Sequence, residues 1–252
     1  MAYSPRYRTT AHSFSSYFPP GVKWLLIVNI GLFILYFLAV RSGLGALFQH
    51  FALVPAAVVE LLAVWQLVTY LFLHDPGGFG HILGNMFMLW MFGTDLERAW
   101  GTKRFLQYYF LCGIGAGLCV VAGNALAGTM NTRTIGCSGA IYGLLLAYGM
   151  LWPDRVILFN FLSPIKAKYF VMIMGAIAFL SSFGSSDSGV SHIAHLGGMI
   201  FGYLFLKRGR LEGGFWLAME RRYQDWKLQR AKARFRRYLH KHGPPDRNRH
   251  VN

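Results

Sequence analysis

The sequence predicts an all-α membrane protein, a bundle of six transmembrane helices, and three observations carry that prediction. Of its 252 residues 54% are hydrophobic and only 14% charged, against about 25% charged in an ordinary soluble domain, and the mean hydropathy is +0.37. Six stretches carry no charged residue: Trp24 to Val40, Pro76 to Thr94, Phe105 to Thr132, Thr134 to Pro153, Tyr169 to Ser186 and Ser188 to Leu206. Each approaches the roughly 20 apolar residues that cross a ~30 Å hydrocarbon slab as a helix. The basic residues then fall on alternate connections. With the N-terminus inside, 23 of the 25 Lys and Arg lie on the cytoplasmic side and only Arg41 and Arg133 outside, the bias that orients membrane proteins.

The chain divides into a cytoplasmic segment 1–23, a six-span core 24–206 and a basic cytoplasmic tail 207–252. Met1 to Lys23 is polar and contains proline, so no cleavable signal peptide is read and the first span is a retained anchor. Between spans one and two, Ser42 to Asp75 is apolar but broken by Gly43, Gly45, Pro55 and Glu60. It is too interrupted to span and too apolar to float free, so it is expected half-embedded at the outer interface, with Trp65, Tyr70 and Phe72 as anchors. The second span opens with His81-Ile-Leu-Gly-Asn85, which puts two polar side chains at i and i+4 on one helical face. The fourth, if helical from Ser138 to just before Pro153, is about 22 Å long and falls short of both faces. Because its inner end is tied to Arg155, the deficit lies outside and Ser138 starts its helix below the outer surface. The sixth opens with His192 and His195 and continues through Gly198 and Gly202.

Even-numbered spans all run from outside to inside, so Ser138, His81, Asn85 and His195 reach similar depth on three helices. Polar groups at that depth face a bundle interior or a water-filled cavity and mark function. Gly139 and Gly143, with Gly198 and Gly202, read as small-xxx-small pairs that allow close helix approach. Such approach is what a Ser138 to His195 hydrogen bond, nucleophile to general base, requires. Tyr142, one turn below Ser138, is placed to pack on the His195 ring. The Ser138 backbone N–H, with no intrahelical acceptor at a helix start, and the His81 and Asn85 side chains are candidate donors to an oxyanion. A GxSG stretch alone packs transmembrane helices routinely; the combination at matched depth is what packing does not explain. The cysteines Cys112, Cys119 and Cys137 lie in apolar stretches and read as small core residues, so neither a disulfide framework, a metal site nor a cofactor is expected.

These residues resemble the rhomboid intramembrane serine proteases. The resemblance rests on Gly136-Cys-Ser138-Gly139-Ala140, the His81 and Asn85 pair, Ala194-His195 followed by Gly198 and Gly202, and Glu97-Arg-Ala-Trp-Gly101 after the second span. Trp65, Thr69, Phe72 and His74 look like the family's re-entrant outer loop. The resemblance implies a Ser138–His195 dyad without an acid, an oxyanion site lined by His81 and Asn85, and single-span membrane proteins as substrates, cut near their outer end. Two features depart from it: the glycine-rich Asp75-Pro-Gly-Gly-Phe-Gly80 before His81, and the tail. Alternative readings are a non-proteolytic rhomboid-like protein that binds client helices, and a small-solute transporter. The latter usually shows paired ionisable residues or inverted repeats, and the spans here carry neither.

The tail holds fourteen Lys or Arg against four acidic residues, ten of the fifteen net positive charges. A helix over 215–240 would line up Trp216, Met219, Tyr223 and Trp226, a basic amphipathic stretch suited to an anionic inner leaflet. Nucleic acid is not expected as a partner of a chain already held in a membrane. A compact chain of six spans suits a prokaryotic plasma membrane.

Overall fold

The structure, a computed structural model, describes residues 18–159, 163–182 and 192–208. Arg6 and Arg8, counted among the cytoplasmic basic residues, and the helix expected over 215–240 lie outside the described residues. Helix α1, Pro20–Arg41, begins with proline inside its first turn, where the missing N–H costs nothing and the fixed φ is already helical. It presents Trp24, Ile27, Ile30, Ile34, Leu35 and Leu38 uncovered, an exposed apolar face of the kind that marks a membrane or a protein partner.

The segment that follows is built of short pieces. A 3-10 turn at Gly45–Phe51 leads to α2, Pro55–Glu60, then α3, Gln66–Thr69, and a second 3-10 turn at Tyr70–Phe72. Side chains cinch these pieces together: Trp65 Nε1 donates to the His50 carbonyl at 3.2 Å and Thr69 Oγ1 to the Phe51 carbonyl at 2.8 Å. An isolated antiparallel bridge between Leu53 and Thr134 ties the segment to the approach to α6. No piece is long enough to cross a bilayer, as its glycine and proline breaks led one to expect.

Helix α4, Phe79–Trp100, and α5, Thr102–Ala127, are separated by Gly101 alone. Glu97 lies at the end of α4 with 2% exposure. Its carboxylate accepts the N–H groups of Gly21 at 2.8 Å and Val22 at 2.7 Å, and the Thr102 hydroxyl at 2.6 Å. It thereby satisfies two of the orphan donors at the start of α1 and places negative charge at a helix N-terminus.

Helix α6, Ser138–Leu151, is 14 residues long and sits in the middle of the bundle, with nine of those residues buried. Around it pack α4, α5, α7 (Ala167–Ser181) and α8, helical over 192–208. Tyr108, Tyr109, Phe92, Leu89, Leu144 and Leu145 form the fully buried interior. The connection from α6 to α7, read from sequence only as a basic loop, contains an antiparallel hairpin, β1 (Val156–Phe159) with β2 (Ser163–Lys166), in the register Val156 to Lys166 and Ile157 to Ile165. At its base Lys166 and Lys168 both reach Asp154, and together they hold that carboxyl below its ordinary range.

Of these helices α1 and α5 are long and apolar enough on their own to cross a membrane, while α6 and α7 are shorter apolar helices. Helix α4 equals α1 in length, but Asp95, Glu97 and Arg98 occupy its last turns.

Candidate active site

Helix α6 starts at Ser138 because the chain leaves the helical conformation at Gly136, two residues before it. Gly136 has φ +112°, a backbone conformation that costs a side-chain-bearing residue about 1–3 kcal/mol. A Cβ at that position would also lie 3.0 Å from Cε1 of His81. The Gly136 N–H donates to the Tyr70 carbonyl at 2.9 Å, so the segment between α1 and α4 grips the turn directly. The chain then enters α6 with Cys137 as its N-cap and Ser138 as its first residue.

Oγ of Ser138 lies 2.9 Å from Nε2 of His195, within the reach that transfer of a proton from nucleophile to base requires. Ser138 is half-buried and His195 buried. The Tyr142 ring stacks on the His195 ring at 4.1 Å between centroids and 4° between planes, which fixes the direction in which the imidazole nitrogens point. His192, one turn earlier on α8, meets the same ring edge-on at 5.8 Å. Nδ1 of His195 is buried without a hydrogen-bond partner among the described residues, so no carboxylate there completes a triad.

His81 and Asn85 stand on the first turns of α4 beside Gly136. Nδ2 of Asn85 is buried and makes no hydrogen bond within the described residues. An amide donor left unpaired at such depth costs about 1–3 kcal/mol, and it lies 3.8 Å from where a Cβ on Gly136 would stand.

The glycines bring α6 and α8 together. A side chain on Gly198 would run into the Gly139 carbonyl, and one on Gly139 would meet the Ala194 carbonyl at 3.0 Å. Gly143 also faces Gly198, its would-be Cβ 3.1 Å from that carbonyl. Gly202 does not face α6 as the small-xxx-small reading of the two helices implied. It makes room for Tyr108 of α5, whose hydroxyl donates to the Gly143 carbonyl at 2.7 Å. The contact therefore involves three helices, and two spacings read from sequence could not disclose the third.

Two further side chains reach the site that sequence reasoning had assigned to the loop and to the core. His74 is fully buried, packs against the His81 ring at 5.4 Å, and places Nε2 3.6 Å from Sγ of Cys137. Burial pushes its imidazole down to about 3; the nearby His81 adds to the shift and the Phe72 carbonyl opposes it. His74 is thus neutral at ordinary pH. The signal was present in a cysteine directly before the serine and a histidine seven residues before His81, but only tertiary structure pairs them. Among the described residues no group of His, Cys, Asp or Glu is arranged to hold a metal ion.

Residues 62–208 match the family model described as the Rhomboid domain. Among curated proteins, the chain is 29% identical over 194 residues to the Rhomboid-like protein 11, chloroplastic, of Arabidopsis thaliana, covering 74% of this chain and 64% of that one. It is 32% identical over 140 residues to the Putative rhomboid protease YdcA of Bacillus subtilis, covering 56% of this chain and 64% of the relative. To the Rhomboid protease GluP of Bacillus subtilis it is 31% identical over 141 residues, 55% of this chain and 25% of the relative. The chain thus spans less than two thirds of the length of each of these relatives.

Proposed function

Since the chain belongs to the rhomboid family, whose members are embedded in membranes, we propose that it is an intramembrane serine endopeptidase working through a Ser138–His195 dyad. The observation that carries this reading is the 2.9 Å separation of Oγ and Nε2 on two helices held together by glycine. Six helices form the spans, with α6 too short at about 21 Å to reach the outer boundary, and both termini lie inside.

In this mechanism His195 accepts the Ser138 proton as Oγ attacks a peptide carbonyl. The tetrahedral oxyanion takes hydrogen bonds from the Ser138 N–H and from the Asn85 and His81 side chains, a contribution worth about 10²–10³-fold per donor. His195 returns the proton to the leaving amine, and water, activated by the same imidazole, then hydrolyses the acyl-enzyme. Tyr142 keeps the imidazole oriented throughout, the role an acid plays in a triad. Half-burial of Ser138 supports water access from the side of His81, Asn85 and His192.

Substrates are single-span membrane proteins cut near their outer end. A helix holds its carbonyls in internal hydrogen bonds, so residues of low helix propensity such as glycine or proline near the cut favour the extended form the site needs. The basic tail 207–252 rests on anionic inner-leaflet lipid, at ~1 kcal/mol per nearby Lys or Arg. The test is cleavage of a co-expressed single-span substrate. Ser138→Ala is expected to abolish it while the protein still accumulates in the membrane, and undiminished cleavage would remove Ser138 from the mechanism.

A further inference from the structure

The outer segment touches the nucleophile's turn at more than one point. Tyr70 accepts the Gly136 N–H through its carbonyl and is itself fastened to α5 by its hydroxyl, which donates to the Gly113 carbonyl at 2.6 Å. Four residues on, the same segment delivers His74, wholly buried, between two parts of the site. On one side its ring packs on His81, which in turn lies against Gly136. On the other its Nε2 meets the Cys137 thiol, also wholly buried. Cys137 is the N-cap of α6, so its conformation sets where the Ser138 N–H and Oγ point. A leucine would fill this space at less cost than an imidazole, whose Nδ1 is buried without a hydrogen-bond partner among the described residues and whose Nε2 is met by the thiol.

We propose that His74 is a positioning residue for the oxyanion site: through the Cys137 thiol it holds the turn that aims Ser138, and through its ring it holds His81. The inference rests on the protease reading and adds to it a partner for Cys137 that is neither nucleophile nor base. Whether the thiol donates to Nε2 or the Nε2–H donates to sulfur depends on the tautomer, and either way one hydrogen bond fixes the N-cap. Tyr109, wholly buried as well, also lies against the thiol. The consequence is that the outer segment is part of the catalytic geometry and not only its cover: a displacement of the order of 1 Å at a reacting group costs about 100-fold in rate.

The experiment uses the purified full chain in liposomes, with a fluorogenic single-span peptide as substrate. kcat is counted per serine titrated with a fluorophosphonate, so that unfolded protein drops out. Alanine and serine are nearly equal in size, but only serine replaces the thiol's hydrogen bond. Cys137→Ala is expected to lower kcat about 10-fold or more at unchanged KM, and Cys137→Ser to remain within about threefold of the parent, while His74→Ala shows the same kcat loss as Cys137→Ala. In the double variant His74→Ala with Cys137→Ala the losses are expected not to multiply, because both remove one contact. Equal effects of Cys137→Ala and Cys137→Ser, or multiplying losses in the double variant, overturn the inference while leaving the protease reading in place. A parent protein that neither cleaves nor is titrated overturns both. If His74→Ala fails to accumulate, the contrast between the two Cys137 variants decides alone.

Discussion

Ser138 is legible in the sequence and Gly136 explains why it is where it is. The GxSG spacing and the two glycine stripes pointed to Ser138 and His195, and the structure sets their polar atoms 2.9 Å apart. What spacing alone could not reveal is that Gly136 is constrained twice, by φ +112° and by the His81 ring beside it. Gly136→Ala is therefore expected to cost about 1–3 kcal/mol in stability through backbone strain. It should also lower cleavage about 100-fold by shifting the serine. Thermal unfolding and cleavage rate measured on the same preparation check both; a variant with parental activity would show that the turn tolerates a side chain. Sequence reasoning placed His74 in the re-entrant loop but not against Cys137, for a physical reason. A histidine in an apolar loop has no periodicity to announce which residue it meets, and its partner Cys137 looks like any small buried residue until the chain is folded.

At the scale of elements, the outer segment and the start of α1 show how polar groups organise an otherwise apolar bundle. Glycine and proline breaks predicted that Ser42 to Asp75 does not span, and its short helices agree with that. The Glu97 clamp was visible only as part of a motif. Its work, accepting from Gly21 and Val22 across 76 and 75 residues, follows from three-dimensional structure. Glu97→Ala leaves two backbone donors and the Thr102 hydroxyl without their acceptor and is expected to destabilise the protein by about 3 kcal/mol, the scale of losing charge-assisted hydrogen bonds in a buried site. Glu97→Gln, which keeps one acceptor, should lose less. Unfolding of the two variants in detergent titrations measures the difference; equal and negligible losses would mean that α1 is held by its apolar contacts alone. The hairpin between α6 and α7 was not legible, because the connection stood out only by its basic residues and Val156-Ile-Leu-Phe has no apolar/polar alternation to mark a strand.

For the whole molecule, the six-span proposal rests on two features of the sequence, the uncharged stretches and the asymmetry of Lys and Arg between the connections. Apolar length alone is weaker: α1 and α5 pass as spans on their own, whereas α6 and α7, at 14 and 15 residues, do not. A helix this short is readable as a span only through what surrounds it, here Arg155, Lys166 and Lys168 after it against Arg133 alone before it. If the count is six with both ends inside, single cysteines placed at Ser42 and Arg133 in a background without native cysteines should react with an impermeant thiol reagent from the outside. Those at Lys103 and Lys166 should react only after the inner face is opened. Reaction of Arg133→Cys and Lys166→Cys from the same side would break the count.

The central claim is that Ser138 is a nucleophile made reactive by His195, and the rate of its modification by a fluorophosphonate in native membranes tests this most directly. The account predicts labelling of the parent protein that maps to Ser138 and disappears in both Ser138→Ala and His195→Ala. Labelling that persists at the parental rate in His195→Ala, or that maps to another residue, would contradict it.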